Sequence, residues 1–295
     1  MTHIQVRKLI GNRTQYAGRE WWYEFQQLPT LCDEKLVSRR AQKLMQQFAP
    51  LTKSWNADLN SEWTVRIFYS AKMVLAASIM AQSLRFAEDK NLRSVTSYLS
   101  YYTVMHSLRA IAFTSPNVAW NNGEILQMTH SKTINVACDE IAHFNRELSE
   151  CVKSAVLHLK AFRELISYRA PSSGDHFPKP DFDIYDYSRS FLEIAQLQSE
   201  LLEASIEKNV KESFPLKKEF TSHVTDVDIE GIHFHDTEDW YRIGYLARKH
   251  PSPTNILHIM SEGHVEDFFG SWCSEDEQPD AFDPDEDWQI LFDVP

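Results

Sequence analysis

The segment that decides the fold spans residues 97–110 and reads SYLSYYTVMHSLRA. It lies within a stretch, 91–113, that predicts a helix ending before the breaker Ser-Pro-Asn at 115–117. On a helix, spacings of four and three place Tyr102, His106 and Arg109 on one face, where they could contact a nucleotide or phosphate together. The competing interpretation is that the rings are buried in a bundle and that Arg109 pairs with a carboxylate.

Three further helices are predicted around this one. Residues 61–87 carry a wide apolar face, and 185–210 carry an apolar stripe at helical spacing. A third helix is expected to begin between 131 and 135 and to run to about 168, with a kink near Leu148. Helices of this length joined by modest loops are typical of an α-helical bundle, here assigned to residues 61–210.

Residues 1–60 form a predicted N-terminal arm and helix. The alternation at 3–10 fits a short strand or an extended arm, and 33–49 predicts a helix with Asp33 as its N-cap and Pro50 as its stop. The aromatic cluster at 19–25 contains adjacent tryptophans, which could stack on bases. Packing of this segment onto the bundle is the favoured alternative.

Beyond residue 210 the pattern changes to shorter units. Alternation predicts strands at 219–225 and 231–235, a short helix or strand at 240–247, and another strand at 255–260. The fold class is therefore mainly α, a helical bundle with a small C-terminal α+β appendage at 211–273 and an acidic tail at 274–295.

The appendage also carries the pattern His233-Phe234-His235, with His223 and Asp236 nearby. A strand would place both histidines of such a pair on one face, as a metal site requires. No motif supplies the remaining ligands, so surface histidines are expected and no metal or other cofactor is assigned. P-loop, GxGxxG, nucleophile-elbow and HExxH patterns are absent from the sequence.

Acidity is concentrated at the C-terminus. The net charge is −12, yet residues 250–295 hold 12 Asp or Glu and no Lys or Arg, which leaves residues 1–249 with 30 acidic and 30 basic residues. The tail is interrupted by large apolar residues, which could anchor it on a basic surface, including an RNA-binding groove; a solvated terminus is the alternative. These anchors are Phe282, Trp288, Ile290, Leu291 and Phe292.

Composition otherwise fits a cytoplasmic protein. Four cysteines without a CxxC pair predict neither a disulfide framework nor a thiolate zinc site. The N-terminus shows no signal-peptide pattern, and the most apolar window, 73–80, is too short to span a bilayer. We therefore expect no membrane association.

The sequence from about 64 to 210 resembles the HEPN domain superfamily. In that pattern a first helix ends, here at 81–90, and the next carries a double tyrosine, an aromatic–His pair and a small–Arg–Ala step, here at 101–110 with Met105 where the family commonly has Phe. His130-Ser131-Lys132 resembles the family's His-Lys pair that opens the third helix. Arg169, followed by Asp175-His176, resembles the Arg at the end of that helix.

The resemblance implies metal-independent RNA cleavage by a protein of a prokaryotic defence or toxin–antitoxin system. His176 would transfer the proton and Arg169 would stabilise charge on the scissile phosphate, in a site formed across a homodimer. This chain departs from the pattern after Arg169, because Ala170 is not polar and because Pro171 and Gly174 break a helix. The alternative is a catalytically inert HEPN-like scaffold or regulatory subunit that binds a protein or nucleotide partner.

Overall fold

The computed structural model describes residues 23–172, 181–272 and 288–292, without the side chains of Glu262 and Trp288, and also the backbone of 15–16 and 19–20. Strands β1 (Gln15–Tyr16) and β2 (Arg19–Glu20) pair antiparallel. The predicted strand at 3–10 and the tryptophans at 21–22 lie outside the residues whose side chains are described. Tyr23 and Phe25, from the same aromatic cluster, are buried in the core as the packing interpretation expects.

The described chain is mainly α-helical, as predicted. Among the described residues, seven helices precede the appendage: α1 (Leu28–Leu31), α2 (Glu34–Lys53), α3 (Ala57–Asp89), α4 (Arg93–Thr114), α5 (His130–Ala142), α6 (Arg146–Arg169) and α7 (Ile184–Asn209). A 3-10 turn, Glu124–Gln127, precedes α5.

Helix α3 is long and apolar enough to cross a bilayer by length and composition alone. However, 61% of its most apolar window is buried inside the protein. It packs closely along α4, to which it is joined by a turn where Asn91 adopts φ +57°. Packing against neighbouring helices accounts for this apolarity.

Local capping explains where the helices begin and why one prediction was wrong. Asp33 caps α2 as expected, with its carboxylate accepting from the N–H groups of Lys35 and Leu36. The helix nevertheless passes through Pro50 to Lys53. The single helix predicted from about 131 to 168 is two helices, because Asn145 caps α6 by accepting from the N–H of Leu148.

Helix α7 lies at the centre, and its polar side chains fix the surrounding parts. The Glu193 carboxylate accepts from the N–H groups of Gln26, Gln27 and Leu28 at 2.6–3.1 Å. Further along, Glu203 accepts from Thr254 Oγ1 and Asn255 Nδ2, both at 2.7 Å. These buried bonds attach both the N-terminal segment and the appendage to one helix.

The appendage contains more helix than the alternating pattern predicted. Its elements are α8 (Lys218–Thr225), β3 (Asp226–Ile229), β4 (Ile232–His235), α9 (Thr237–Lys249), α10 (Ile256–Ile259), a π-helix (Met260–His264) and α11 (Val265–Gly270). The strand predictions at 219–225 and 255–260 were therefore wrong. The strand at 231–235 is confirmed as β4, which pairs antiparallel with β3 across a turn where Gly231 has φ +81°.

The residues near the C-terminus return to the core. Leu291 and Phe292 are buried, and the Phe292 ring lies 4.7 Å from that of Tyr23. Arg189 Nε donates to the main-chain oxygen of Ile290 at 2.8 Å. Three of the predicted apolar anchors thus pack on this same chain, whereas the acidic residues 274–287 lie outside the described residues.

Candidate functional site

One face of α4 carries a continuous row of aromatic and basic side chains. The rings of Tyr98 and Tyr102 lie 4.6 Å apart, and those of Tyr102 and His106 lie 5.9 Å apart. Arg109 follows one turn further along, and its Nη2 donates to the main-chain oxygen of Met128 at 2.9 Å. The structure therefore brings the three residues singled out by spacing onto one face, with Arg109 held by a carbonyl rather than by a carboxylate.

Helix α5 adds a histidine to this face. Thr129 caps the helix by accepting from the N–H of Lys132, so α5 begins at His130. The Nδ1 atom of His130 lies 2.8 Å from the hydroxyl of Tyr101, whose ring is fully buried. The Tyr101 hydroxyl thereby fixes the orientation of His130 and leaves its second nitrogen, Nε2, outside this bond.

Helix α6 supplies a second guanidinium. The Arg163 group lies 5.2 Å from the centre of the Tyr101 ring and 6.0 Å from that of Tyr102, within the range of cation–π attraction. Its Nη2 pairs with Glu164 at 3.1 Å, while its buried Nε has no hydrogen-bond partner in the structure. We name Tyr98, Tyr101, Tyr102, His106, Arg109, His130, Lys160 and Arg163 the α4–α6 cluster.

Burial and positive charge disfavour the protonated form of both histidines of the cluster. Burial, then Arg109 and His130, lower the pKa of His106 to about 4. Burial lowers the pKa of His130 as well, reinforced by Arg109, Arg163 and Lys160 and opposed by Glu164. Within the described part of the chain, the buried Nδ1 of His106 has no hydrogen-bond partner.

The charge balance of this face is positive. Arg109, Lys160 and Arg163 carry three positive charges, whereas Glu164 is the carboxylate that contacts Arg163 and acts on His130. This face presents two imidazoles that favour the neutral form, three guanidinium or ammonium groups and several tyrosine rings. Such a surface is suited to an anion attached to a flat ring.

Of the two catalytic residues that the HEPN resemblance implies, the structure describes Arg169. Arg169 is the last residue of α6 and is exposed, and Ala170 caps that helix in the left-handed conformation with φ +40°. His176 lies outside the described residues, so its distance from Arg169 is not defined. A cavity of about 540 Å³ adjoins this end of α6 and is lined in part by Arg93, Ile166 and Ser172.

The histidine pair of the hairpin lies on the surface. His233 and His235 are exposed, and their Nδ1 atoms lie 3.2 Å from Asp228 and 2.7 Å from Asp226 respectively. In the part of the chain that the structure describes, no group of three or more His, Cys, Asp or Glu residues is arranged to hold a metal ion.

Several members of the α4–α6 cluster were not predicted. Arg163 and Lys160 lie within the predicted third helix but in no recognisable motif, and Tyr101 was noted only as part of the double tyrosine of the HEPN resemblance. The pair His130–Lys132 provided the available signal, since it marked a helix start, but pairing with Tyr101 requires the packing of α4 against α5. Comparison with family models, curated proteins and solved structures finds no match.

Proposed function

We propose that the chain is a HEPN-like protein that binds RNA through the α4–α6 cluster. The observation that carries the proposal is the convergence of Arg109 and Arg163 beside neighbouring tyrosine rings, with an Nδ1 on His106 that has no partner among the described residues. The resemblance of residues 64–210 to the HEPN pattern supports it, because its strongest segment is the α4 sequence that carries this face.

The chemistry of the cluster fits a nucleotide phosphate. Guanidinium groups bind phosphate oxygens through paired N–H donors, and Arg163 Nε is a buried donor that no other described residue pairs with. Tyr98 is partly exposed, with 44% of its surface accessible, and lies at the outer end of the row. A base stacked on this ring would place its phosphate toward the arginines.

Fluorescence anisotropy with a labelled single-stranded RNA tests the binding proposal. Losing one charge-assisted contact costs about 1.5–3 kcal/mol, so Arg163→Gln and Arg109→Gln should each weaken binding about tenfold or more. Arg146→Gln is the matched control, since Arg146 lies on the same helix as Arg163 with its side chain 86% exposed. Equal affinities for the wild type and both cluster variants, in proteins with unchanged thermal melts, would refute the proposal.

A second candidate function, metal-independent RNA cleavage, is favoured by the His130–Tyr101 pair. A neutral imidazole whose Nδ1–H donates to the Tyr101 oxygen would leave Nε2 to accept the 2′-hydroxyl proton, while two guanidinium groups would stabilise the charge that develops on the phosphate. In the HEPN pattern this role belongs instead to His176, with Arg169. The two sites make different predictions for the same assay.

Incubation of total RNA with the protein in EDTA separates these assignments. Loss of cleavage in His130→Gln but not in His176→Ala assigns the reaction to the α4–α6 cluster, and the reverse result assigns it to the Arg169–His176 segment. No cleavage by the wild type ends the catalytic proposal and leaves the RNA-binding or scaffold function. Light scattering of the same preparations measures whether the chain is the homodimer that the resemblance implies.

A further inference from the structure

A second cavity, of about 400 Å³, lies where the appendage meets the bundle. It is lined by residues of α3, α9 and α11, the end of the π-helix and the residues that follow α11, and none of these residues belongs to the α4–α6 cluster. The polar and aromatic side chains of this lining include Lys72, Asp236, Glu238, Arg242, His264 and Trp272.

His264 is the unusual group in this wall. The residue is 3% exposed, and neither Nδ1 nor Nε2 has a hydrogen-bond partner among the residues that the structure describes. A buried polar ring normally has partners, since an unsatisfied donor or acceptor costs about 1–3 kcal/mol. A neutral imidazole always has one acceptor nitrogen and one N–H donor, and both nitrogens of His264 are buried, so the ring leaves an unsatisfied acceptor beside the cavity.

The backbone that presents His264 is also irregular. Met260–His264 is a π-helix between α10 and α11, and Gly263 within it has φ +72°. Such segments occur frequently at functional sites because they redirect a side chain that a regular helix would place elsewhere. Here the ring of His264 lies 5.2 Å from that of Phe68, with the cavity at its edge.

The ionised side chains give the cavity a net negative charge. Lys72 pairs with Asp239, and Arg242 pairs with Asp267, so these two cations are matched by two carboxylates. Asp236 and Glu238 add two further carboxylates. The field of Asp239 and Asp236 reaches the neighbouring Tyr69, whose pKa is raised to about 12 by burial first and then by these two carboxylates.

We propose that this cavity binds a small organic cation with primary ammonium groups. Glu238 and Asp236 would pair with the ammonium charge, and His264 would accept a hydrogen bond from one N–H of the ammonium group. Trp272, which is 72% exposed, offers a ring face at the mouth of the cavity. A metal ion is disfavoured, because the described residues hold no cluster of three ligating side chains. The low pKa of His264, about 3 through burial and then Arg242 and Lys72, keeps its acceptor nitrogen free at neutral pH.

Isothermal titration calorimetry of the full chain tests this proposal with three ligands of the same carbon-chain length. We expect putrescine to bind, and its neutral analogue 1,4-butanediol and its anionic analogue succinate to bind at least tenfold more weakly. Absence of binding by putrescine, or equal binding of the three compounds, would overturn the proposal.

Variants locate the site. Glu238→Gln should weaken putrescine binding at least fivefold, whereas Glu266→Gln, which removes an equal charge from an exposed residue of α11 that does not line the cavity, should change it less than twofold. His264→Phe should abolish binding without lowering the melting temperature, because the ring gives up no hydrogen bond in the free protein. Equal affinity in Glu238→Gln and Glu266→Gln would show that binding depends on overall charge and not on this cavity.

Discussion

Acidification should destabilise this protein partly through one histidine of the α4–α6 cluster. Burial, and then the neighbouring Arg109 and His130, lower the pKa of His106 from the ordinary 6.5 to about 4. Because the folded-state pKa lies below the unfolded one, the unfolded chain binds the proton more readily. Stability is therefore retained above pH 6.5 and is lost as the pH falls from there toward 4.

The magnitude follows from linkage. Integrating between pH 7 and pH 5 with these two pKa values gives a loss of about 2 kcal/mol from His106 alone. His264 shows a shift of the same direction and adds to the total, so the wild-type profile alone does not isolate His106. The difference in stability profile between the wild type and His106→Phe isolates the contribution of His106, since the phenylalanine ring does not titrate.

Urea denaturation at pH 7, 6 and 5 measures this difference. The free energy of unfolding of His106→Phe should fall by about 2 kcal/mol less than that of the wild type over this range. His233→Phe is the matched control, because that side chain is 58% exposed on the hairpin, and its profile should parallel the wild type. The reasoning fails if the His106→Phe profile also parallels the wild type, or if the His106 resonance titrates near 6.5 in NMR spectra.

Three further outcomes are expected in denaturation experiments at neutral pH. Arg40→Met should cost about 3–5 kcal/mol, because it leaves the buried Glu140 carboxylate without the guanidinium that lies 2.5 Å away; a loss below 1 kcal/mol would contradict the buried pair. Tyr101→Phe should cost about 1 kcal/mol through the lost hydroxyl contact with His130, and NMR should show a changed His130 pKa; an unchanged His130 resonance would argue against the contact. Asn56→Ala should cost about 1 kcal/mol by removing the N-cap of α3, whereas Asn56→Asp should cost little; equal losses would contradict a capping role.

The bundle was predictable from sequence because its helices are long and periodic. The stretch 91–113 predicted α4 to within two residues at its start and one at its end, and 185–210 predicted α7 to within one residue at each end. The break within 131–168 had a local signal, since Asn145 and the following Arg146-Glu147 form a helix start. The kink expected near Leu148 lies close to this break, but the division into two separate helices was not predicted.

The short elements were not predictable in the same way. Residues 219–225 alternate like a strand, yet they form α8, in which Val224 is buried and Phe220 packs against the core. Over so few residues, periods of two and 3.6 predict overlapping sets of buried positions, so tertiary packing decides between them.

The candidate site was likewise predictable only where its residues lie on one helix. Spacing alone placed Tyr102, His106 and Arg109 together because one helix carries all three. Arg163 and His130 reach the same face only through the packing of α5 and α6 against α4, which no local pattern encodes. Residues contributed by separate helices become neighbours only once the bundle has formed.

Helix α7 makes the protein's parts depend on one another during unfolding. Glu193 attaches the N-terminal segment, Gln198 hydrogen-bonds to Thr114 and Glu140 in the bundle, and Glu203 attaches the appendage. All three sets of contacts are made by side chains of the same buried helix, α7. Separation of any one of these parts would therefore expose polar groups of α7. Amide protons in these parts should therefore exchange with a common opening free energy, as in a single cooperative unit rather than a chain of independent modules.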